Sequence, residues 1–126
     1  MPDSNFTPFI ALGGEEVLSK LVDTFYFHVG NHTLLSELFP ADLTETAYKQ
    51  KQFLTQFLGG PSLYTEEFGH PMLRARHLPF PITEEHAKAW LQCMEQALED
   101  VQVDQTVRMY MMERLTLTAH HMVNTP

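Results

Sequence analysis

The stretch GHPMLRARHLPFPIT, residues 69–83, determines how the rest of the chain is interpreted. Pro71 suits the first position of a helix, because the amide hydrogen that proline lacks would have no helical partner there. Pro79 and Pro81 then prevent the helix from continuing. The spacing of these prolines predicts a short helix over residues 72–78, which is about two turns long.

His77 stands at the C-terminal end of this predicted helix. Leu73 lies four residues earlier and therefore on the same side, so the imidazole faces outward from an apolar stripe. With Phe80 and Ile82 following in an extended segment, His77 is well placed to hold a metal ion in an apolar pocket. An isolated histidine among apolar residues is also typical of a hydrogen-bonded core or surface position. The spacing alone leaves both interpretations open.

Length and composition indicate one folded domain. The chain has 126 residues, which is enough for a single hydrophobic core and too few for two. Its 44% hydrophobic and 11% aromatic residues are typical of a folded globular protein and not of a disordered one. We therefore predict a single domain over residues 1–126.

The charge balance bears on partners. The 8 Lys and Arg residues and 16 Asp and Glu residues leave a formal net charge of -8, which repels nucleic-acid phosphates and anionic lipid. No apolar run approaches membrane-spanning length, and residues 1–8 lack the basic and then apolar pattern of a signal peptide. Cys93 is the only cysteine, so an internal disulfide is impossible. We predict a cytoplasmic protein with neither a nucleic-acid nor a membrane partner.

The first long helix is predicted after the glycine pair at residues 13 and 14. Glu15 and Glu16 favour a helix start, and apolar residues then recur at helical spacing, at Leu18, Leu21, Val22, Phe25 and Val29. Tyr26 lies one turn after Val22, so its ring falls on the buried side of this helix. A buried phenol needs a hydrogen-bond partner, and a backbone carbonyl is one candidate.

A second long helix is predicted over residues 42–58. Asp42 and Glu45 have the spacing of a helix start with a capping carboxylate, and the glycines after residue 58 end the helix. Thr46 and Gln50 make its inward face polar in the first two turns, before Phe53, Leu54 and Phe57 make it apolar. The two polar residues either line a pocket or lie at the rim of the core.

Shorter segments flank this helix. Before it, a brief apolar turn that includes Phe39 is ended by Pro40. After it, residues 61–69 are predicted to form an irregular loop, from which Tyr64 could reach the edge of a bound group.

Two more helices complete the predicted all-α fold. Thr83, followed by two glutamates, begins a helix whose apolar stripe runs to about residue 101 and comprises Ala87, Trp90, Leu91, Met94 and Leu98. Asp104 caps a last helix whose predicted inward residues are Val107, Tyr110, Met111, Leu115, Thr118 and Met122. Four principal helices and several short ones are compatible with helix pairs stacked two over two.

His28 and His32 lie four residues apart and could share one helical face, as in metal-binding helices. No carboxylate accompanies them in an H-E-x-x-H arrangement, so we predict a solvated pair.

Several motifs resemble a known family when they are taken together. HPMLRARHLPF at residues 70–80 is similar to the proximal segment of the group II truncated haemoglobins, which are small bacterial globins. Matching pieces occur in the family's order and at compatible spacings, namely GGEE at residues 13–16, the tyrosine of FYFHV, LFP at 38–40, KQKQFLTQFLGGP at 49–61 and AWL at 89–91. The resemblance covers nearly the whole chain and implies a truncated globin fold with a two-over-two helical sandwich.

The resemblance also implies a haem site. It implies one haem b per chain, held without thioether bonds because no C-x-x-C-H motif is present. The metal ligand would be His77, with its second ring nitrogen donating to a backbone carbonyl one turn back. The residues that stabilise the dioxygen bound at the iron would be Tyr26, Trp90, Gln50 and Thr46. The residues in contact with the haem would be Phe39, Thr46, Lys49, Tyr64, Arg76 and His77.

Two residues depart from the family pattern. Thr46 occupies the place that resembles the position of the family's usual distal histidine. Phe39 stands where some relatives carry a second tyrosine. Neither Thr46 nor Gln50 binds iron strongly, so the sixth coordination position should be open or weakly occupied. Without the resemblance, Trp90 is equally explained as a core residue, and Lys49 as a solvated charge.

The resemblance implies a function as well. We expect a protein that binds dioxygen and other small haem ligands with slow release, and that could support nitric oxide dioxygenation or peroxide chemistry with an external electron donor. A simple oxygen carrier or store is the first alternative, and a haem-free helical interaction module is the second. The expected assembly is a monomer or a weak homodimer.

Overall fold

The computed structural model describes residues 7–126. Between these residues the chain forms helices and no β-strand, so the all-α prediction is confirmed. The helices are α1 (Pro8–Leu12), α2 (Gly14–Gly30), α3 (Thr33–Ser36), α4 (Thr44–Phe57), α5 (Leu63–Phe68), α6 (Leu73–His77), α7 (Glu84–Asp100) and α8 (Gln105–Met122).

The four long helices form two pairs. Helix α2 packs against α4, α7 packs against α8, and contacts between α2 and α7 join one pair to the other. The two-over-two arrangement is therefore present as predicted. None of the helices between residues 7 and 126 has the length and apolar character needed to cross a bilayer.

The hydrophobic core lies where these pairs meet. Its completely buried side chains include Leu18, Leu21, Phe25, Leu54, Met94, Leu98 and Met111. The predicted apolar stripe of α2 is confirmed, and Cys93 is buried within the same core. The prediction for Tyr110 is wrong, because this ring is 36% exposed and lies 5.1 Å from the Arg114 guanidinium carbon.

The starts of the last two long helices follow the sequence signals. Thr83 and His86 form a reciprocal capping box at the start of α7, and the Asp104 carboxylate accepts a hydrogen bond from the Thr106 amide at the start of α8. Helix α4 begins two residues later than predicted. Asp42 accepts a hydrogen bond from the Thr44 amide, and Leu43 is the N-cap residue.

Two short helices were not anticipated. Helix α1 begins with the Thr7 side chain accepting a hydrogen bond from the Ile10 amide and with Pro8 in the first helical turn. Helix α5 replaces the predicted irregular loop, so Tyr64 lies on a helix. The signals for α1 were present in the sequence, since Thr followed by Pro is typical of a helix start.

Helix α6 is shorter than predicted. Pro71 is not its first residue, because Met72 adopts a left-handed conformation with φ of 44° and serves as the N-cap. The prediction that His77 ends the helix is confirmed.

The prediction that His28 and His32 form a solvated pair is wrong. His28 Nε2 lies 2.7 Å from a carboxylate oxygen of Asp100 and so links the ends of α2 and α7. His32 Nδ1 is buried and has no hydrogen-bond partner in the described part of the chain.

Candidate functional site

A large cavity lies beside the core and is lined by residues from both helix pairs. Its volume is about 590 Å³, within the range of roughly 300–1,000 Å³ that is usual for sites that bury a small molecule. All of the residues predicted from the sequence line this one cavity, namely Tyr26, Phe39, Thr46, Lys49, Gln50, Tyr64, Arg76, His77 and Trp90. Residues far apart in the chain thus share one site.

His77 lines the cavity with one ring nitrogen already engaged. Its Nδ1 lies 2.6 Å from the carbonyl oxygen of Leu73, one turn back on α6. Because a carbonyl can only accept, Nδ1 must carry the hydrogen, and this fixes the tautomer. Nε2 is then left with a free lone pair, which is the form in which histidine binds a metal ion. The predicted hydrogen bond to a carbonyl one turn back is confirmed.

Tyr26 is a largely buried residue of the cavity wall. The residue is only 7% exposed, and its ring lies edge to face against Phe25, at 4.8 Å, and Phe39, at 6.0 Å. Burial raises the pKa of the Tyr26 phenol well above its ordinary value, so the hydroxyl stays protonated and can donate. The alternative in which a backbone carbonyl accepts this hydrogen bond is not observed among the described residues.

Trp90 combines the two interpretations that the sequence left open. Its ring packs edge to face on the core residue Phe25 with centroids 4.9 Å apart, and it also lines the cavity. The Trp90 indole is therefore both a packing residue and a potential hydrogen-bond donor at the site.

Thr46 and Gln50 line the cavity from α4, which is the first of the two alternatives that the sequence left open. Each brings a polar group to a wall that is otherwise mostly apolar. Lys49 lies on the same helix, with its ammonium 3.2 Å from Glu45 and 5.5 Å from the ring centroid of Phe68. Its charge is partly neutralised in this arrangement.

Arg76 and Tyr64 form a second polar corner of the cavity. Arg76 donates to the carbonyl oxygens of Phe68 and His70 at 3.0 and 3.1 Å, and its guanidinium carbon lies 5.7 Å from the Tyr64 ring centroid. Tyr64 is only 7% exposed and packs against Phe68 at 5.0 Å. Two cationic side chains, Lys49 and Arg76, thus lie where anionic groups of a bound molecule could be neutralised.

The cavity also contains His86, which the sequence interpretation did not assign to it. His86 lines the wall while its Nδ1 accepts the Thr83 amide hydrogen bond at 3.0 Å. Phe80 and Ile82 line the wall just beyond the short helix. The sequence signal for His86 was its position one turn before Trp90, which places both residues on one face of α7.

The residues present fit a flat, largely apolar cofactor that carries a metal ion and acidic groups. An imidazole with one free lone pair lines the cavity, apolar and aromatic side chains form most of its wall, and two cations lie on it. A single imidazole supplies one metal ligand, so a cofactor would have to supply most of the others, as a porphyrin does.

Comparisons with known proteins agree with this arrangement. The family model described as bacterial-like globin matches residues 7–124. The chain is 63% identical, over 98% of its length and 93% of the relative's, to the group 2 truncated hemoglobin YjbI of Bacillus subtilis.

Solved structures are equally similar. The crystal structure of the group II truncated hemoglobin from Bacillus anthracis superposes with a TM-score of 0.96 at 64% identity and covers 98% of this chain and 95% of that chain. The truncated oxygen-avid haemoglobin from Bacillus subtilis superposes with a TM-score of 0.92 at 64% identity and covers 94% of this chain and all 100% of that one.

Proposed function

This chain belongs to the bacterial-like globin family and, within it, to the group II truncated haemoglobins, and we propose that it uses one haem b to bind dioxygen and release it slowly. One observation carries the proposal: His77, whose Nε2 is free, lines the same cavity as Tyr26 and Trp90. The relative that is described as oxygen-avid supports the same proposal.

His77 would hold the haem iron through Nε2. The hydrogen bond from Nδ1 to the Leu73 carbonyl fixes the ring plane and increases the basicity of Nε2. The haem, when bound, supplies the iron at which dioxygen binds. Phe39 would contact the macrocycle, because its ring lies against Tyr26 at the cavity wall.

The acidic groups of the haem would be neutralised by Lys49 and Arg76, with Tyr64 donating from α5. Arg76 is already held by two backbone carbonyls, so little side-chain freedom is lost when it meets an anion. Lys49 would exchange part of its contact with Glu45 for the new partner.

Tyr26 and Trp90 would stabilise the bound oxygen by donating hydrogen bonds, with Gln50 as a third donor and Thr46 beside it. Dioxygen held at a ferrous haem would carry partial negative charge, so these donors would stabilise the bound state selectively. A hydrogen bond to a charged acceptor contributes about 1.5–3 kcal/mol, so two of them would slow release by roughly a hundredfold or more.

Slow release favours chemistry or scavenging over bulk delivery. Oxidation of nitric oxide to nitrate, or reduction of peroxide, would each need an external electron donor. A simple carrier or store remains the alternative, and a fast oxygen dissociation rate would favour it.

An absorption spectrum of the purified protein tests the proposal. We expect a Soret band, a haem content of one per chain, and a shift of the band when dioxygen or carbon monoxide is added to the ferrous protein. The His77→Gly variant should lose the haem or show an altered axial ligand, whereas His86→Gln, which changes another histidine of the cavity, should keep the wild-type spectrum. A colourless wild-type protein would favour the interaction module instead.

Three further expectations belong to the same proposal. We propose that residues 1–126 form a single truncated globin domain, that the protein acts in the cytoplasm, and that it is a monomer or a weak homodimer. Sedimentation of the haem-loaded protein over a range of concentrations tests the last of these.

A further inference from the structure

The segment of residues 73–82 carries His77 and has a buried apolar side chain only at its end, where Ile82 is buried. Helix α6 contributes no buried residue, and Leu78 and Phe80 are 57% and 47% exposed. Pro79 and Pro81 have no amide hydrogen, so the turn after His77 offers few donors of its own. Phe80 lines the cavity, where a bound haem would cover part of its surface. Hydrogen bonds supply further contacts that hold the segment.

The side chain of Asn124 bonds to both ends of the proline-containing turn. Its Nδ2 donates to the carbonyl oxygens of Phe80 and His77, at 2.9 and 3.3 Å. Its Oδ1 accepts the amide hydrogen bond of Ile82 at 3.0 Å. One amide side chain therefore bonds to the backbone of His77 itself and to the first free amide after the prolines.

Neighbouring groups hold the C-terminal residues against the same segment. The amides of Asn124 and Thr125 both donate to the Ile82 carbonyl, at 2.9 and 3.0 Å. From the other side, Arg74 donates to the carbonyl oxygens of His121 and Val123, at 2.6 and 2.9 Å. We call Arg74, Asn124 and the backbone of residues 121–125 the C-terminal clasp.

We propose that Asn124 is a positioning residue for His77, which it holds through the clasp so that the imidazole keeps a single orientation toward the iron. This proposal rests on the proposed role of His77 as the iron ligand. The His77 ring is fixed by the Leu73 carbonyl, and the His77 backbone is fixed by Asn124. Without the Asn124 side chain, the His77 carbonyl keeps only the bond from the Phe80 amide, and the segment keeps the Arg74 and backbone bonds of the clasp. The one-turn helix that carries the ring is then less tightly held.

The orientation of the His77 imidazole toward the iron can be followed by the iron–histidine stretching band in the resonance Raman spectrum of the ferrous, ligand-free protein. Asn124→Ala should broaden and shift that band. It should also speed haem transfer to an excess of apomyoglobin by about tenfold, the change expected when hydrogen bonds worth about 1.4 kcal/mol are lost.

The control is Asn31→Ala, which removes a similar side-chain hydrogen bond, from Nδ2 to the Phe27 carbonyl at 2.8 Å, in residues that do not line the cavity. It should lower the melting temperature while leaving the band and the haem transfer rate as in wild type. A merely structural role for Asn124 would give the same result for both variants.

Two more variants keep the proposal testable if Asn124→Ala folds poorly. Asn124→Asp keeps an oxygen for the Ile82 amide but places a carboxylate oxygen against the His77 and Phe80 carbonyls, so its band should change at least as much as in Asn124→Ala. Arg74→Met loosens the clasp from the other side and should shift the band in the same direction by less.

An unshifted band and an unchanged haem transfer rate in Asn124→Ala or Asn124→Asp would overturn the proposal. If wild type itself shows no iron–histidine band, the proposed role of His77 fails and the clasp proposal fails with it. A wild-type band that persists unchanged in the variants overturns the clasp alone.

Discussion

The Tyr26 phenol and the Trp90 indole line the same cavity, so the rate of ligand release is expected to depend on these two side chains. Tyr26 is held between Phe25 and Phe39, and Trp90 rests on the same Phe25 ring. Phe25 is completely buried, so it fixes both donors relative to the core. Two rigidly held donors cost little conformational entropy when they bond to a ligand.

Replacing either donor by phenylalanine should speed oxygen release. Tyr26→Phe and Trp90→Phe each remove one donor while keeping an aromatic ring against Phe25, so the oxygen dissociation rate should rise by about tenfold or more, with haem content unchanged. Stopped-flow mixing of the oxygenated protein with dithionite or carbon monoxide measures this rate.

Tyr48→Phe is the matched control for the tyrosine variant. Tyr48 is 46% exposed, donates to a Glu67 carboxylate and does not line the large cavity. Its removal should leave the dissociation rate as in wild type. Unchanged rates in both Tyr26→Phe and Trp90→Phe would exclude them as the ligand-stabilising pair.

At the level of single residues, the sequence predicted which side chains line the cavity better than it predicted the residues that hold those side chains in place. His77 could be named as the metal ligand only through the resemblance of residues 70–80 to the family's proximal segment, because the proline spacing alone left a packing histidine equally open. The carbonyl one turn back was then the expected partner for Nδ1. Asn124 could not be identified, because it lies 47 residues from His77 and its partners are backbone carbonyls that carry no sequence signal.

The ends of the elements show how local sequence signals compete. The capping residues Thr83 and Asp104 act as predicted because their short side chains reach amides within the same turn. Pro71 was expected to be the first residue of α6, but Met72 follows it in a left-handed conformation as the N-cap, so the helix begins two residues later, at Leu73. Helix α5 was missed since the glycines and proline before it outweighed its own short helical pattern.

Met72→Gly should stabilise the protein. A non-glycine residue in the left-handed region costs about 1–2 kcal/mol, and glycine removes that cost while losing about 0.5–1 kcal/mol through the greater freedom of the unfolded chain. We expect the free energy of unfolding, measured by urea denaturation, to rise by up to about 1.5 kcal/mol.

The same substitution at Met109 is the control. Met109 is 62% exposed and lies in the interior of α8, so glycine there should lower the free energy of unfolding by about 1 kcal/mol. Opposite signs at the two positions would establish that the backbone conformation at Met72 is strained. Equal losses at both would contradict it.

The His28–Asp100 contact links two elements and makes their association depend on pH. The hydrogen bond from His28, followed by one from Gln96, holds the pKa of Asp100 below its ordinary value. A lowered folded-state pKa contributes stability above the unfolded pKa, about 3.9, and this contribution is lost as the pH falls through the folded pKa. Asp100→Asn should therefore destabilise the protein at pH 6 and have progressively less effect below pH 4.

Unfolding curves of wild type and Asp100→Asn at several pH values measure this difference. Asp23→Asn serves as the control, because Asp23 lies on α2 without a salt-bridge partner among the described residues. Its effect should be small at every pH. A difference between Asp100→Asn and wild type that does not narrow in acid would contradict the prediction.

The molecule as a whole has a dense side and a hollow side. The completely buried residues come mostly from α2, α7 and α8, whereas α6 has no buried residue and α4 has two, Leu54 and Thr55. The cavity occupies the space that α4, α5 and α6 enclose with the other helices. Sequence pattern indicated this division only on α4, where Thr46 and Gln50 interrupt the apolar inward face. Elsewhere, residues that line a cavity and residues that fill a core have the same apolar periodicity.

Removing the haem should therefore loosen one side of the molecule. A cofactor that binds only the folded state stabilises it, and here the contacts that it would supply belong mainly to the hollow side. We expect amide hydrogens of residues 44–53 and 73–77 to exchange roughly tenfold faster or more in the haem-free protein, whereas those of residues 18–29 and 93–98 keep most of their protection. Mass-spectrometric hydrogen exchange on the haem-free and haem-loaded forms measures both sets. Equal loss of protection everywhere would mean that the dense side does not fold without the cofactor, and no change at all would mean that α4 and α6 are held by the protein alone.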